Sequence, residues 1–315
     1  MAAPNIGELM TMEMASRTRQ LADNVTENTA LLNRLKQRGN SDPVTGGYEI
    51  RQELEYAENE TYKRFSGYEV LNVQPSEVFD SAKFDLRQVG VAITISRLEE
   101  LQNSGKERMI PFLASRIRNA QHTMMNGLSG DVYSDGTASG GKQIDGLQAA
   151  LPTSRATGTY GSINRANHEL WRHAEETGTT SANIRSKMMA LWVKICRNMD
   201  KPDLIPMDNN FYTHYWAALQ DQQRFTNPRM ARMGFTNLKF DSADVILDGG
   251  VGGSCPTDTG FMLNTKYVHW RPHADENMEP SRDRFATNQA ALVKLILFAG
   301  NLTCSNLSLQ GRLRA

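Results

Sequence analysis

Hydrophobic and polar residues alternate in two runs within residues 48–96, separated by a polar stretch, and such alternation is the pattern of β-strands. In residues 48–56 the apolar or aromatic side chains share one face, and Glu or Arg side chains occupy the other. A second alternating run starts at Phe84 and Leu86 and changes phase near Gln88, which fits either a β-bulge or a break between two strands. The pattern predicts a long two-armed β excursion, whose tip has little to bury and needs a partner to lie on.

A helical period follows the excursion. The pattern predicts a short helix over residues 98–101 and then a long amphipathic helix whose apolar residues recur at intervals of three and four. Gly127 and Gly130 are predicted to mark its end. The apolar stripe of this helix supplies the predicted core residues, which include Met109, Leu113, Ile117, Met124 and Leu128.

The remainder of the chain predicts a mixed α/β region without internal repeats. We expect helices over residues 164–177 and 181–199, a short buried strand at Leu204 and Ile205, and an aromatic helix capped by residues 208–210. Strand-like runs return within 238–247 and 261–270, and a last apolar helix is expected over residues 289–299.

The N-terminal segment, residues 5–40, is polar with scattered Met and Leu. A helical spacing ends at Gly39 and Asn40, but large apolar residues are too few to build a separate core. The segment therefore resembles an amphipathic arm that lies on another surface, either of the same subunit or of a neighbour. Its candidates for intersubunit packing are Met10, Met12, Met14, Leu21 and Val25.

The excursion supplies a second set of contact candidates. The excursion carries acidic residues together with the basic residues Lys63, Arg64 and Arg87. The acidic residues form either a solvated face or a complementary contact with a neighbour. The candidates for intersubunit contact here are Tyr48, Ile50, Leu54, Tyr56, Lys63, Arg64 and Phe65.

Charge and composition exclude several classes of protein. Lys plus Arg and Asp plus Glu are both 35, so the chain lacks the overall basic excess of a dedicated nucleic-acid binder. The longest apolar run, residues 290–299, is far shorter than the ~20 residues that a bilayer requires. The three cysteines are widely separated, which argues against a disulfide framework. We expect a soluble protein that folds in a cytoplasm and has no membrane partner.

Catalytic motifs are weak. Residues 136–142 match the spacing of a phosphate loop, but Gln143 replaces the Ser or Thr that would hold magnesium, so a flexible loop is the better interpretation. His269, His273 and Asp275 have metal-like spacing and define a rival hypothesis, a cytoplasmic α/β metalloenzyme. No third His or Cys pair completes that set locally, so we predict no catalytic residue, cofactor or metal site.

The order of elements, taken with four local sequences, resembles the major capsid proteins of tailed bacteriophages with the Hong Kong 97 type fold. These sequences run from Gly46 to Tyr56, from Ile144 to Leu147, from Pro202 to Trp216 and from Phe285 to Asn306. The resemblance covers about residues 44–313, and its last stretch is the most specific. Encapsulin shells share the fold, but that last stretch favours a virus.

The resemblance implies an α+β fold with an N-terminal arm (1–43), an extended β-hairpin loop (44–96), a peripheral domain with a long spine helix (97–144 and 246–315) and an axial α/β domain (145–245). It implies a structural role, in which hexamers and pentamers form an icosahedral shell around double-stranded DNA that is held by weak non-specific contacts. The implied location is the virion, after assembly in the bacterial host cytoplasm. Further partners would be a separate scaffolding protein, a portal and, where the shell carries them, decoration proteins. Other phage head components, such as decoration or head-completion proteins, remain an alternative. No cross-link through Lys63 is predicted.

Overall fold

The computed structural model describes residues 29–55, 61–74, 78–102, 106–219, 238–249, 253–280, 284–285 and 290–315. The helices are α1 Ala30–Arg38, α2 Arg97–Gln102, α3 Lys106–Val132, α4 Ala138–Gly141, α5 Leu147–Ala150, α6 Ile184–Ile195 and α7 Asn209–Ala218. The first strands are β1 Glu49–Glu55, β2 Phe79–Asp85, β3 Arg87–Ser96, β4 Thr159–Tyr160, β5 Ile163–Asn164, β6 Ala174–Glu176 and β7 Leu204–Met207. The later strands are β8 Leu238–Phe240, β9 Ala243–Leu247, β10 Thr259–Met262, β11 Val268–Pro280, β12 Arg284–Phe285, β13 Ala291–Cys304 and β14 Gly311–Arg314.

The predicted excursion is a hairpin of β1 and β2, which pair antiparallel with Ile50 opposite Phe84. The phase change in the sequence is a break between two strands, because β2 pairs with β1 whereas β3 pairs with β13 over ten consecutive residues. Ile50, Leu54 and Phe84 are buried, so one face of the hairpin lies on the body of the same chain.

A four-stranded sheet is built around β13, with β3 on one side and β11 and β12 on the other. The helix predicted over residues 289–299 is therefore wrong. Lys294, Ile296 and Phe298 are buried at alternate positions, as in a strand, and the lysine conceals that alternation in the sequence. Backbone pairing on both sides overrides the helix-favouring leucines of this segment.

The long amphipathic helix is confirmed as α3, which packs on β3. Ile117, Met124 and Leu128 are buried as predicted. The predicted end at Gly127 and Gly130 is wrong, since the helix continues through both glycines. Burial of the residues that follow, Val132 and Tyr133, offsets the poor helix propensity of glycine.

Gly127 and Gly130 offer a direct test of that account. A Cβ atom at either glycine meets no heavy atom within 4 Å. We expect Gly127→Ala and Gly130→Ala each to raise the free energy of unfolding by about 0.5–1 kcal/mol, because alanine loses less backbone entropy in a helix. Urea unfolding of the unassembled chain measures the change. A loss of stability in both variants would contradict a continuous helix.

A six-stranded sheet in the order β6-β14-β10-β7-β9-β8 forms the second part of the fold. Helix α6 packs on β6 and β14, and α7 contacts α6 and β9. Two predicted helices are confirmed, as α6 within residues 181–199 and as α7 within residues 208–219. The predicted strands are also confirmed, as β7 at residues 204–205 and as β8 and β9 within residues 238–247. The Asp208 carboxylate caps α7 by accepting a hydrogen bond from the Asn210 N–H at 3.4 Å.

The helix predicted over residues 164–177 is wrong. The segment forms β5, a single 3₁₀ turn at Glu169–Trp171, and β6, which runs parallel to β14. The helical spacing of small and apolar residues was misleading, since Leu170 is 52% exposed. Arg165, Trp171 and His173 are buried, and the last two lie two positions apart, as in extended backbone.

The arm helix α1 lies on its own chain, so the first of the two surfaces left open by the sequence applies to residues 30–38. The arm residues before 29 lie outside the described part of the chain. Leu31, Leu32 and Leu35 are buried. The Arg34 guanidinium lies 2.9 Å from an Asp203 carboxylate oxygen and 3.6 Å from an Asp244 oxygen. The helix ends at Gly39 in a left-handed conformation with φ of 77°, as its glycine predicts.

Among the described helices, none has the length and apolar character needed to cross a membrane.

Candidate assembly surface

The tip of the hairpin exposes an unusual number of large apolar side chains. Residues 61–74 form neither helix nor strand. Within them Tyr62 is 81% exposed and Tyr68 is fully exposed, and Tyr48 at the start of the hairpin is also fully exposed. The other exposed apolar residues of the tip are Phe65, Val70, Leu71 and Val73. Clustered apolar exposure of this kind marks an interaction surface.

The sequence-predicted contact residues divide into three groups. Tyr48, Lys63, Arg64 and Phe65 are exposed, so a neighbour can reach them. Ile50 is corrected, since it is 4% exposed and packs inside its own chain. Leu54 is 6% exposed, so a neighbour can reach only the part of its side chain that borders a surface groove. The remaining contact candidates lie outside the described residues: Met10, Met12, Met14, Leu21, Val25 and Tyr56. Of the predicted core residues of the long helix, Met109 and Leu113 have side chains outside the described part.

Asn301 fixes the base of the hairpin to the sheet beneath it. Its side-chain oxygen accepts hydrogen bonds from the N–H groups of Asp145 and Leu302, both at 2.9 Å. Its amide nitrogen donates to the Asp85 carbonyl at 2.9 Å and to the Asp145 carboxylate at 2.8 Å. One buried amide thus joins β13, the end of β2 and the turn before α5.

The turn at Gly146 packs tightly against the end of α3. A Cβ atom there would lie 2.5 Å from the Ser134 nitrogen and 2.6 Å from the Val132 oxygen, with the Asp131 carbonyl oxygen also in the way. Only glycine allows this approach. The long helix and the following turn are therefore held in one fixed relation.

Two buried arginines bind the end of the short helix α5. Arg165 donates to the carbonyls of Ala149 and Ala150 at 2.7 and 3.0 Å, and Arg312 donates to the Leu151 carbonyl at 2.8 Å. Carbonyl groups at a helix end favour a cation. Sequence reasoning missed both arginines because neither lies in a periodic pattern, and nothing local indicates that residues 165 and 312 bind the end of the same helix.

No protein-family model and no curated protein sequence matches the chain. Among solved structures, the chain is similar to the capsid asymmetric unit of cyanophage A-1(L), with a TM-score of 0.60, 14% identity, and coverage of 87% of this chain and 88% of that one. The chain has the Hong Kong 97 type capsid fold.

The same capsid fold relates the chain to two other assemblies. The procapsid of satellite phage P4, which includes the size determination (Sid) protein, matches with a TM-score of 0.52 and 11% identity over 94% of this chain and 90% of that one. The holo-SrpI encapsulin complex of Synechococcus elongatus PCC 7942 matches with a TM-score of 0.50 and 10% identity over 90% and 88%. We refer below to the β1–β2 hairpin as the extended loop and to α3 as the spine helix.

The two histidines of the rival metalloenzyme hypothesis lie on one strand and contact neighbouring polar groups. His269 and His273 both lie on β11. The His269 Nδ1 atom lies 3.5 Å from an Asp42 oxygen, and the His273 Nδ1 atom accepts a hydrogen bond from the Asp275 N–H at 3.1 Å. Over the described residues, no group of three or more His, Cys, Asp or Glu side chains could hold a metal ion.

His173 is a buried histidine whose pKa is strongly lowered. It is 1% exposed, and neither ring nitrogen has a hydrogen-bond partner among the described residues. Burial, reinforced by the charges of Arg165, Arg312, Arg155 and Arg314, lowers its pKa from 6.5 to about 3. The imidazole is therefore neutral in the folded chain at physiological pH.

This burial predicts an acid sensitivity. As the pH falls below 6.5 the unfolded chain binds a proton at His173 that the folded chain binds only near pH 3. Stability is therefore lost between those values, by about 3 kcal/mol at pH 4. We expect His173→Leu to be more stable than the parent by about that amount at pH 4, relative to their difference at pH 8, in urea unfolding of the unassembled chain. Equal pH dependence of the two proteins would contradict this.

Proposed function

We propose that this chain is the major capsid protein of a tailed bacteriophage. Copies assemble into hexamers and pentamers, which tile an icosahedral shell that encloses viral double-stranded DNA. The observation that carries the proposal is the extended loop, because its exposed aromatic tip stands on a base anchored by a buried hydrogen-bond network. In a monomer the apolar side chains of such a loop stay exposed to water, whereas in a shell neighbouring subunits bury them.

The apolar tip supports a structural rather than an enzymatic role. Exposed side chains such as Tyr62 and Tyr68 gain free energy only when a neighbour covers them. Permanent assemblies bury about 2,000–5,000 Å² or more per interface, and interlocking loops provide such areas. The arm residues Met10, Met12 and Met14, with Leu21 and Val25, are proposed to add intersubunit packing.

We also propose a division into domains in which the two large sheets belong to different domains. The arm comprises residues 1–43 and the extended loop residues 44–96, although the last strand of that loop, β3, pairs with β13 and contributes to the peripheral sheet. The spine helix and the sheet around β13 belong to the peripheral domain, whereas α6, α7 and the six-stranded sheet form the axial domain. Strands β10 and β14 lie within residues 246–315 but join that six-stranded sheet, so this stretch contributes to both domains.

The proposed partners are those that a phage shell needs for its assembly and completion. A separate scaffolding protein directs assembly in the bacterial host cytoplasm, and a portal and decoration proteins complete the virion. Contact with the packaged DNA is weak and non-specific, which agrees with 35 basic and 35 acidic residues in the chain.

The proposal is tested by producing the full chain alone and together with a scaffolding protein from the same genome. Sedimentation velocity and negative-stain microscopy then measure particle size. We expect closed round particles, or pentamers and hexamers that close when the scaffold is added. A monomer or dimer in both preparations would contradict the proposal.

A further inference from the structure

A groove of about 360 Å³ lies at the foot of the extended loop. It is bordered by Leu54 and Asp80 of the hairpin, by the 3₁₀ turn with Leu170 and Trp171, and by the loop at residues 305–308. Leu54 and Trp171 are buried at its floor, whereas Leu170 is 52% exposed at its edge. The groove thus offers an apolar floor next to an exposed apolar edge.

The edge of this groove carries more negative than positive charge. Glu55, Asp80 and Glu169 contribute carboxylates, all on exposed residues, and Arg197 contributes the one guanidinium among the lining residues. An occupant that combines aromatic rings with positive charge would pack its rings on the apolar floor and pair its charges with the carboxylates of the edge.

The tip of the extended loop has that chemistry. Tyr62, Lys63, Arg64 and Phe65 are consecutive, and they combine two exposed aromatic rings with two cations. Lys63 pairs with Glu69 at 3.4 Å, but both side chains are half exposed, and such surface pairs contribute only about 0–1 kcal/mol. Lys63 can therefore leave Glu69 and pair with a carboxylate of the groove at little cost in free energy.

We propose that the groove at the foot of one extended loop receives residues 62–65 of the extended loop of a second copy. This inference rests on the proposed function as a shell subunit and identifies the surface that receives the loop tip. In a single chain Tyr62 is 81% and Phe65 is 59% exposed, so the tip does not fill the groove of its own subunit. Loops that each dock at the foot of the next would link subunits into a ring or chain.

A cysteine pair on two different copies tests the docking. Full chains that carry Phe65→Cys are mixed with differently tagged full chains that carry Leu170→Cys, assembled and treated with diamide. We expect a disulfide-linked dimer containing both tags, at a yield at least tenfold above a control pair of Phe65→Cys with Val193→Cys. Val193 is 64% exposed on α6 and does not line the groove, so it reports random collision.

A charge reversal provides the second measurement. Glu169→Lys is expected to lower the yield of particles at least tenfold, and the triple variant Glu169→Lys, Lys63→Glu, Arg64→Glu is expected to recover it to within twofold of the parent. Glu53→Lys, an exposed residue of β1 that does not line the groove, is the matched control and should leave the yield unchanged.

The outcomes separate this inference from the proposed function. Particles that form without enrichment of the Phe65–Leu170 link, or with the link confined to single chains, overturn the docking and leave the shell intact. A charge reversal that the compensating changes fail to rescue also counts against the docking. Failure of the unmodified chain to form any particle overturns the proposed function and the docking together.

Discussion

Asn301→Ala is expected to lower the free energy of unfolding by about 3–5 kcal/mol. The Asn301 side chain is fully buried and makes four hydrogen bonds that join β13, the end of β2 and the turn at Asp145. Its removal leaves the buried Leu302 N–H and the partly buried Asp145 N–H and Asp85 carbonyl without these partners. A buried group without a partner costs about 1–3 kcal/mol. Urea unfolding of the unassembled chain measures the loss.

Asn306→Ala is the matched control for this prediction. Asn306 is only partly buried, and its side-chain oxygen accepts a hydrogen bond from the Ser308 hydroxyl at 2.8 Å. Its loss should cost at most about 1 kcal/mol. Equal effects of the two substitutions would show that the Asn301 network does not anchor the extended loop.

Gly146→Ala is expected to be the second severe substitution, with a loss of at least about 3 kcal/mol or an insoluble chain. The added methyl group would overlap backbone atoms of residues 131, 132 and 134, and none of these can move as a flexible side chain does. Overpacking against side chains typically costs about 1–3 kcal/mol, and a clash with backbone exceeds that range.

The same substitution at Gly127 has the opposite expected sign, because a Cβ atom there meets open space. Measurement of Gly146→Ala and Gly127→Ala side by side therefore controls for the chemistry of the change. A stability of Gly146→Ala within about 0.5 kcal/mol of the parent would contradict the close approach of the turn to the spine helix.

The sequence predicted the elements whose periodicity is strong and local. The hairpin face at Ile50 and Leu54 and the buried stripe of α3 repeat over many residues, so one-dimensional pattern and three-dimensional burial agree. Residues 289–299 were mistaken for a helix because Lys294 occupies a buried position and interrupts the alternation. Strand pairing with β3 and β11 decides that segment, and pairing between distant segments leaves no local signal.

The candidate surface was predicted in part. Lys63, Arg64 and Phe65 were identified because they lie at the tip of the excursion, which has little to bury locally. The groove could not be predicted, because residues 54, 80, 170 and 305 meet only after the hairpin folds onto the body of the chain. Asn301 was equally hidden, since a single buried amide gives no pattern and its partners lie as far as 216 residues away.

The central claim is that copies of this chain build a closed shell through their extended loops. A cryo-electron microscopy reconstruction of the particles tests it most directly. We predict an icosahedral shell one subunit thick, with rings of five and six copies and with residues 62–65 of each copy in contact with a neighbour. Particles without icosahedral order, or a shell in which every loop tip is free of other subunits, would contradict the account.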